Sequence, residues 1–148
     1  MAETVVVMAP LTRKMIEQGA AFVRALEQDD VTILAAFWYL EAEFGRWRLF
    51  IATPDIGRIG WQELYGKAHV ILDRFAPEPA FKTYDVGILG PNRRIFQTVS
   101  EVVTTGPELG GERFTNQIAN GELVDDIYVY KQTIEPPPKP GRRRRKAA

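Results

Sequence analysis

The most concentrated chemistry-bearing residues are basic. Four adjacent arginines and two lysines lie close together, namely Lys139, Arg142, Arg143, Arg144, Arg145 and Lys146. Such a run neutralises phosphates and releases counterions, which predicts salt-sensitive binding of nucleic acid, another polyanion or an acidic protein. No aromatic residue interrupts the run, so base stacking by the tail is not indicated. The alternatives are a solubilising tail and one that folds back onto the acidic body.

A second candidate anion site is a predicted strand-to-helix junction over residues 90–94. Backbone amides at the helix start could converge there with the side chains of Arg93 and Arg94. Arginines in a first helical turn oppose the helix dipole, and a bound anion would remove that penalty. The alternative is that both arginines are simply hydrated. A related loop, 53–61, matches no complete phosphate-binding fingerprint and is predicted to be a turn.

His69 is the only histidine and could act as a general base. On a helix it lies four residues after Tyr65 and four before Asp73, so the three side chains can line up. A histidine satisfied at the boundary of an apolar stripe is the simpler interpretation. A nucleophilic triad would need Ser100, the only serine, and nothing favours that. With one histidine and no cysteine, a multi-histidine or thiolate metal site is excluded. The preferred interpretation contains no catalytic residue, metal or cofactor.

Carboxylates at strand positions form the last candidate set: Glu41, Glu43, Asp85, Asp125 and Asp126. Acidic residues are depleted in strands and can gather around magnesium. With Lys131 to help activate water, they could form a metal-dependent phosphodiesterase site. A hydrogen bond from Asn116 to Asp125 across a hairpin explains Asp125 without a metal.

The composition is that of a globular protein whose charge is unevenly distributed. The 148 residues are 45% hydrophobic and 26% charged, which suits one domain with a real core. The formal net charge is zero, but without the six basic tail residues 13 basic residues face 19 acidic ones. The lack of cysteine and of a secretory signal pattern is compatible with a cytoplasmic protein. The longest apolar run, 33–40, predicts no membrane segment.

The elements that must position these residues follow from hydrophobic periodicity. Apolar spacings of three and four predict helices over 11–28, 61–75 and about 95–104, the last with Asn92 as its N-cap. A nearly continuous apolar run over 31–41 predicts a central strand covered on both faces. Alternation predicts its hairpin partner over 47–53, and a short strand is predicted over 84–89.

A second hairpin is predicted around Asn120 and Gly121, because this pair suits the left-handed dihedrals of a type I′ turn. The turn sets the register. The predicted pairs are Ala119 with Glu122, Ile118 with Leu123, Asn116 with Asp125, Phe114 with Ile127 and Glu112 with Val129. One face of this hairpin is therefore predicted to be apolar, with a polar pair in its middle.

These elements predict an α+β fold in a single domain. One mixed five-stranded sheet, made of two hairpins plus one strand, packs with three helices in the order αββαβαββ. The domain is predicted over 1–134. Residues 135–148 are predicted to be a disordered Pro- and Arg-rich basic tail.

Several stretches resemble small bacterial proteins of unknown function. They are residues 47–54 (WRLFIATP), 105–107 (TGP), 113–115 (RFT) and 125–130 (DDIYVY). The resemblance covers the hairpins but not the arginine tail. It implies one recurring domain and carries no activity.

The sequence thus predicts a small non-enzymatic accessory or interaction protein whose tail contacts nucleic acid or another polyanion. A metal-dependent nuclease is the first alternative and needs strand carboxylates converging with a lysine. A homo-oligomeric scaffold is the second. It would assemble through exposed aromatic surface such as Trp38, Tyr39 or Tyr128.

Overall fold

A computed structural model describes residues 10–75 and 77–134 of the chain. The helices and strands in chain order are α1 (Arg13–Gln28), β1 (Ala35–Glu41), β2 (Arg46–Ala52), α2 (Ile56–Ile59), α3 (Trp61–Asp73), β3 (Val86–Leu89), α4 (Arg94–Val102), β4 (Glu112–Ala119) and β5 (Glu122–Gln132). A 3₁₀ turn, Thr83–Asp85, leads into β3. No helix in the described ranges has the length and apolar character needed to cross a bilayer.

The strands form one mixed sheet in the order β3-β2-β1-β5-β4. The β1–β2, β1–β5 and β4–β5 pairs are antiparallel, and β3 runs parallel to β2. The first strand is central, and its residues from Ala35 to Trp38 are buried. The predicted α+β class, the mixed five-stranded sheet and the central place of its first strand are therefore confirmed.

Helices cover both faces of the sheet. On one face α1 and α3 supply Phe22 and Leu64 to a core that includes Trp38. On the other face Phe96 of α4 belongs to a core that includes Phe37. Because successive strand residues point to opposite faces, neighbouring Phe37 and Trp38 fill different cores.

The second hairpin has the predicted turn. Asn120 and Gly121 both have positive φ, 53° and 74°, and Ala119 pairs with Glu122. These are the dihedral signs of a type I′ turn, which glycine and asparagine adopt at low cost. The predicted register is confirmed at every pair but one. Asn116 does not pair with Asp125 in the ladder, and the hydrogen bond predicted between them is not present in the described hairpin.

The prediction that one face of this hairpin is apolar is wrong near the turn. Asn116 has a φ of 53°, a left-handed conformation that interrupts regular alternation in β4. On β5 the buried residues Val124 and Ile127 are three positions apart, so inward and outward positions exchange between them. As a result Ile118 and Leu123 are 80% and 58% exposed, although their pairing is the one predicted.

Two local predictions also differ from the structure. The loop predicted over 53–61 contains the single-turn helix α2, which adds a fourth helix to the predicted three. Asn92 is not the N-cap of α4, because the Arg93 N–H closes a turn onto the Gly90 carbonyl at 3.2 Å. The helix therefore starts one residue later, with Arg93 at the N-cap.

Candidate binding cleft between the hairpin turns

The two hairpin turns lie at the same end of the sheet. The turn over 42–45 follows β1, and β5 begins after the second turn and runs antiparallel to β1, with Tyr39 opposite Ile127. Between them lies a cleft of about 290 Å³, called here the hairpin cleft. Its lining residues are Tyr39, Leu40, Glu41, Ala42, Glu43, Phe44, Leu123 and Asp125.

The hairpin cleft combines apolar surface with negative charge. Phe44 is 69% exposed, and Leu123 contributes the second exposed apolar side chain. Glu41, Glu43 and Asp125 supply carboxylates, and none of the described lining residues is basic. An apolar surface rimmed with charge is typical of a binding site for another molecule.

The carboxylates differ in whether a basic group neutralises them. Glu41 accepts a hydrogen bond from Arg46 Nε at 3.2 Å and lies 3.9 Å from Arg48 Nη1. Among the described residues, Glu43 and Asp125 have no basic nitrogen within 4.0 Å. Their negative charge is therefore uncompensated within this part of the chain.

The negative charge at the cleft affects the pKa of Tyr39. Partial burial raises the pKa of the Tyr39 hydroxyl, and the charges of Glu122, Asp125 and Glu41 raise it further. Each carboxylate disfavours a second negative charge on the phenol. The partly buried Tyr39 hydroxyl therefore lies in the negative field of Glu122, Asp125 and Glu41.

The five predicted strand carboxylates do not form a metal site. Three of them line the cleft, but Asp126 forms a salt bridge with Arg113, and Asp85 accepts the Lys82 backbone N–H at 3.0 Å. Across residues 10–75 and 77–134, no three His, Asp or Glu side chains are placed to hold a metal ion.

Lys131, the lysine of the predicted nuclease site, is remote from the cleft carboxylates. It is buried, and its Nζ lies 3.0 Å from Glu27 Oε2 of α1. That helix covers the face of the sheet that packs Trp38, whereas Tyr39 of the cleft packs against the opposite core. The lysine is therefore an ion-pair partner of α1 in this structure.

His69 and Ser100 lie on different faces of the sheet. His69 is exposed on α3, with Nδ1 3.3 Å from Thr83 Oγ1 and Nε2 4.0 Å from Asp73 Oδ2. The hydroxyl of Tyr65, predicted to line up with it, instead accepts the Ile88 N–H at 2.9 Å. Ser100 is on α4 and donates to the Gln97 carbonyl. The structure does not bring histidine and serine together.

The predicted anion site at the start of α4 is partly occupied by the protein itself. Arg94 Nε lies 3.2 Å from Glu122 Oε1, and its Nη2 donates to the Asn120 carbonyl at 3.0 Å. Arg93 is exposed at the N-cap. Anion binding here stays a prediction. The tail residues Lys139, Arg142, Arg143, Arg144, Arg145 and Lys146 lie outside the described residues.

Two aromatic residues are placed differently from the prediction, one in the cleft and one in the core. Phe44 falls in the connection between the predicted strands over 31–41 and 47–53, and the signal that could have found it is a large apolar residue at a turn position. Trp38 was predicted among exposed aromatic residues, but it is fully buried. Its indole packs edge-on to Phe81, 5.0 Å between ring centroids, on the face covered by α1 and α3.

No protein-family model matches the chain, and no curated protein and no solved structure matches it significantly. The resemblance to small bacterial proteins therefore stays a prediction.

Proposed function

We propose that this protein is a non-enzymatic interaction protein that holds nucleic acid or another polyanion through its basic tail. The tail residues that would contact phosphate are Lys139, Arg142, Arg143, Arg144, Arg145 and Lys146. Adjacent guanidinium groups bind phosphate oxygens bidentately and release counterions when they do so.

One structural observation carries this proposal: most basic residues of the body already have an acidic partner. Eight of the thirteen basic residues outside the tail lie within 4.0 Å of a carboxylate, namely Lys14, Arg46, Arg48, Arg58, Lys67, Arg94, Arg113 and Lys131. The six tail cations are the densest group of positive charge in the sequence, whereas most cations of the described body are already paired.

The test is a fluorescence-anisotropy titration of labelled single- and double-stranded DNA and RNA over a salt series. The logarithm of the association constant should fall linearly with the logarithm of the salt concentration, because each neutralised phosphate releases counterions. Replacing Arg142 and Arg143 with alanine in the full chain should make this slope less steep by about 2 for duplex DNA.

Arg13→Ala with Arg24→Ala is the matched control, since it removes the same charge from two exposed positions on α1. It should change the slope much less, because both residues lie outside the predicted anion sites. Equal losses in the two double variants would overturn the assignment to the tail. Absence of binding at low salt would overturn the function itself.

A further inference from the structure

We propose that the hairpin cleft is a docking site for the arginine run, residues 142–145, of a second copy of this chain. The protein would then self-associate by exchanging tails, and a polyanion that binds the tail would release it. The docking does not depend on the proposed function. Only its release by a polyanion rests on that function.

Charge complementarity selects the occupant. Glu43 and Asp125 lack a basic partner in the described residues, and a guanidinium can pair bidentately with a carboxylate. Before the tail, the chain has more acidic than basic residues, so the largest matching positive charge in the protein is the arginine run itself.

The aromatic residues of the cleft favour arginine over lysine. Phe44 presents an exposed ring and Tyr39 a half-buried one. A planar guanidinium stacks on an aromatic face while its N–H groups stay free to donate to carboxylates. The fold already contains this type of contact, because Arg48 lies 5.0 Å above the ring of Phe50.

The reach of the tail favours a second copy over the same chain. β5 leads away from the cleft, and the nine residues from Asp125 to Ile134 correspond to about 30 Å of strand. From Ile134, the eight residues to Arg142 span at most about 29 Å even when fully extended. The tail could therefore enter its own cleft only by running back along β5 in a nearly fully extended form, whereas another molecule's cleft can approach it freely.

The spacer composition strengthens this conclusion. Pro136, Pro137, Pro138 and Pro140 lie between the body and the arginines. Proline-rich segments favour extended, semi-rigid spacers. A return to the chain's own cleft would need the chain to reverse its direction between the end of β5 and this spacer.

Sedimentation velocity of the full chain at low and high salt tests the proposal. The tail variant carries Arg142→Ala, Arg143→Ala, Arg144→Ala and Arg145→Ala, and the cleft variant carries Glu43→Gln and Asp125→Asn. The wild type should associate at low salt and dissociate at high salt, because the contact is between charges. Each variant alone should be monomeric.

Mixing the two variants gives the decisive result. One supplies an intact tail and the other an intact cleft, so the equimolar mixture should regain association. Glu17→Gln with Asp73→Asn removes the same charge from exposed sites on α1 and α3 and should behave as wild type. Phe44→Ser gives a second cleft variant, in a turn, that should also lose association.

A wild type that is monomeric at low salt would overturn the proposal, as would a mixture that stays monomeric or a cleft variant that associates normally. Adding a single-stranded oligonucleotide separates this inference from the proposed function. Dissociation of the protein when the oligonucleotide is added supports both the docking and the proposed function. Association that persists because the oligonucleotide does not bind contradicts the proposed function and leaves the docking intact.

Discussion

The indole N–H of Trp38 donates a hydrogen bond to the hydroxyl of Tyr130 at 2.8 Å, and that hydroxyl donates to the carbonyl of Ile16 at 2.6 Å. Trp38 is on β1, Tyr130 on β5 and Ile16 in α1. Both side chains are almost completely buried. Two consecutive hydrogen bonds therefore tie the centre of the sheet to the helix that covers it.

Tyr130→Phe should destabilise the protein by about 1–3 kcal/mol, because the Trp38 N–H loses its buried acceptor. Urea unfolding followed by circular dichroism measures the change. Tyr128→Phe is the control, since Tyr128 is only partly buried and its hydroxyl has no hydrogen-bond partner among the described residues. It should cost less than about 0.5 kcal/mol. Equal costs would contradict a structural role for the Tyr130 hydroxyl.

Stability should fall at alkaline pH. Burial raises the pKa of Tyr130, outweighing the hydrogen bond from Trp38, and burial with nearby carboxylates raises the pKa of Tyr39. A pKa that is higher in the folded state means that stability is complete below the unfolded value of about 10 and falls above it.

The slope of the unfolding free energy against pH identifies which tyrosines cause the decline. Tyr130 should contribute up to about 1.4 kcal/mol per pH unit above pH 10, and Tyr39 should contribute less, because solvent screens the charges around its more exposed hydroxyl. Unfolding free energies of wild type, Tyr130→Phe and Tyr39→Phe between pH 8 and 11 measure it, and each variant should show a shallower decline. A wild-type slope in either variant would exclude that tyrosine as the cause.

Two helical glycines should respond to alanine in opposite directions. A Cβ on Gly19 of α1 would overlap the Tyr130 hydroxyl and lie 2.9 Å from Trp38 Nε1, so Gly19→Ala should destabilise by about 1–3 kcal/mol. At Gly66 of α3 nothing lies within 4 Å of the added atom, so Gly66→Ala should stabilise by up to about 1 kcal/mol. Thermal unfolding of both variants checks the signs, and the same sign for both would contradict this packing.

The left-handed residue in β4 makes a further substitution informative. Asn116→Gly should be nearly neutral, whereas Asn116→Val should cost about 1–2 kcal/mol, because a β-branched residue disfavours a positive φ. Thr115→Val is the control at an exposed neighbouring position and should stay within about 0.5 kcal/mol. Chemical denaturation distinguishes them, and a stabilising valine at position 116 would indicate regular extended backbone there.

Much of the fold follows from residues that act over a few positions. The stripe containing Phe22 and Leu26 predicts α1, and both residues are buried in the structure. Asn120 and Gly121 set the register of the second hairpin, because their preference for positive φ is a property of the two residues and their neighbours. The separation of body and tail charge is likewise a property of the sequence alone.

The hairpin cleft depends on tertiary structure. Phe44 and Leu123 are almost eighty positions apart, and they approach because β1 and β5 are neighbours in the sheet, which no local pattern specifies. The same packing puts Lys131 beside Glu27 of α1 and leaves Asp125 at the cleft. The spacing of apolar residues along the sequence indicates which residues share one face of a helix or strand. Which elements become neighbours is decided by burying all their apolar faces together, and that collective requirement placed the carboxylates and aromatic rings of the site.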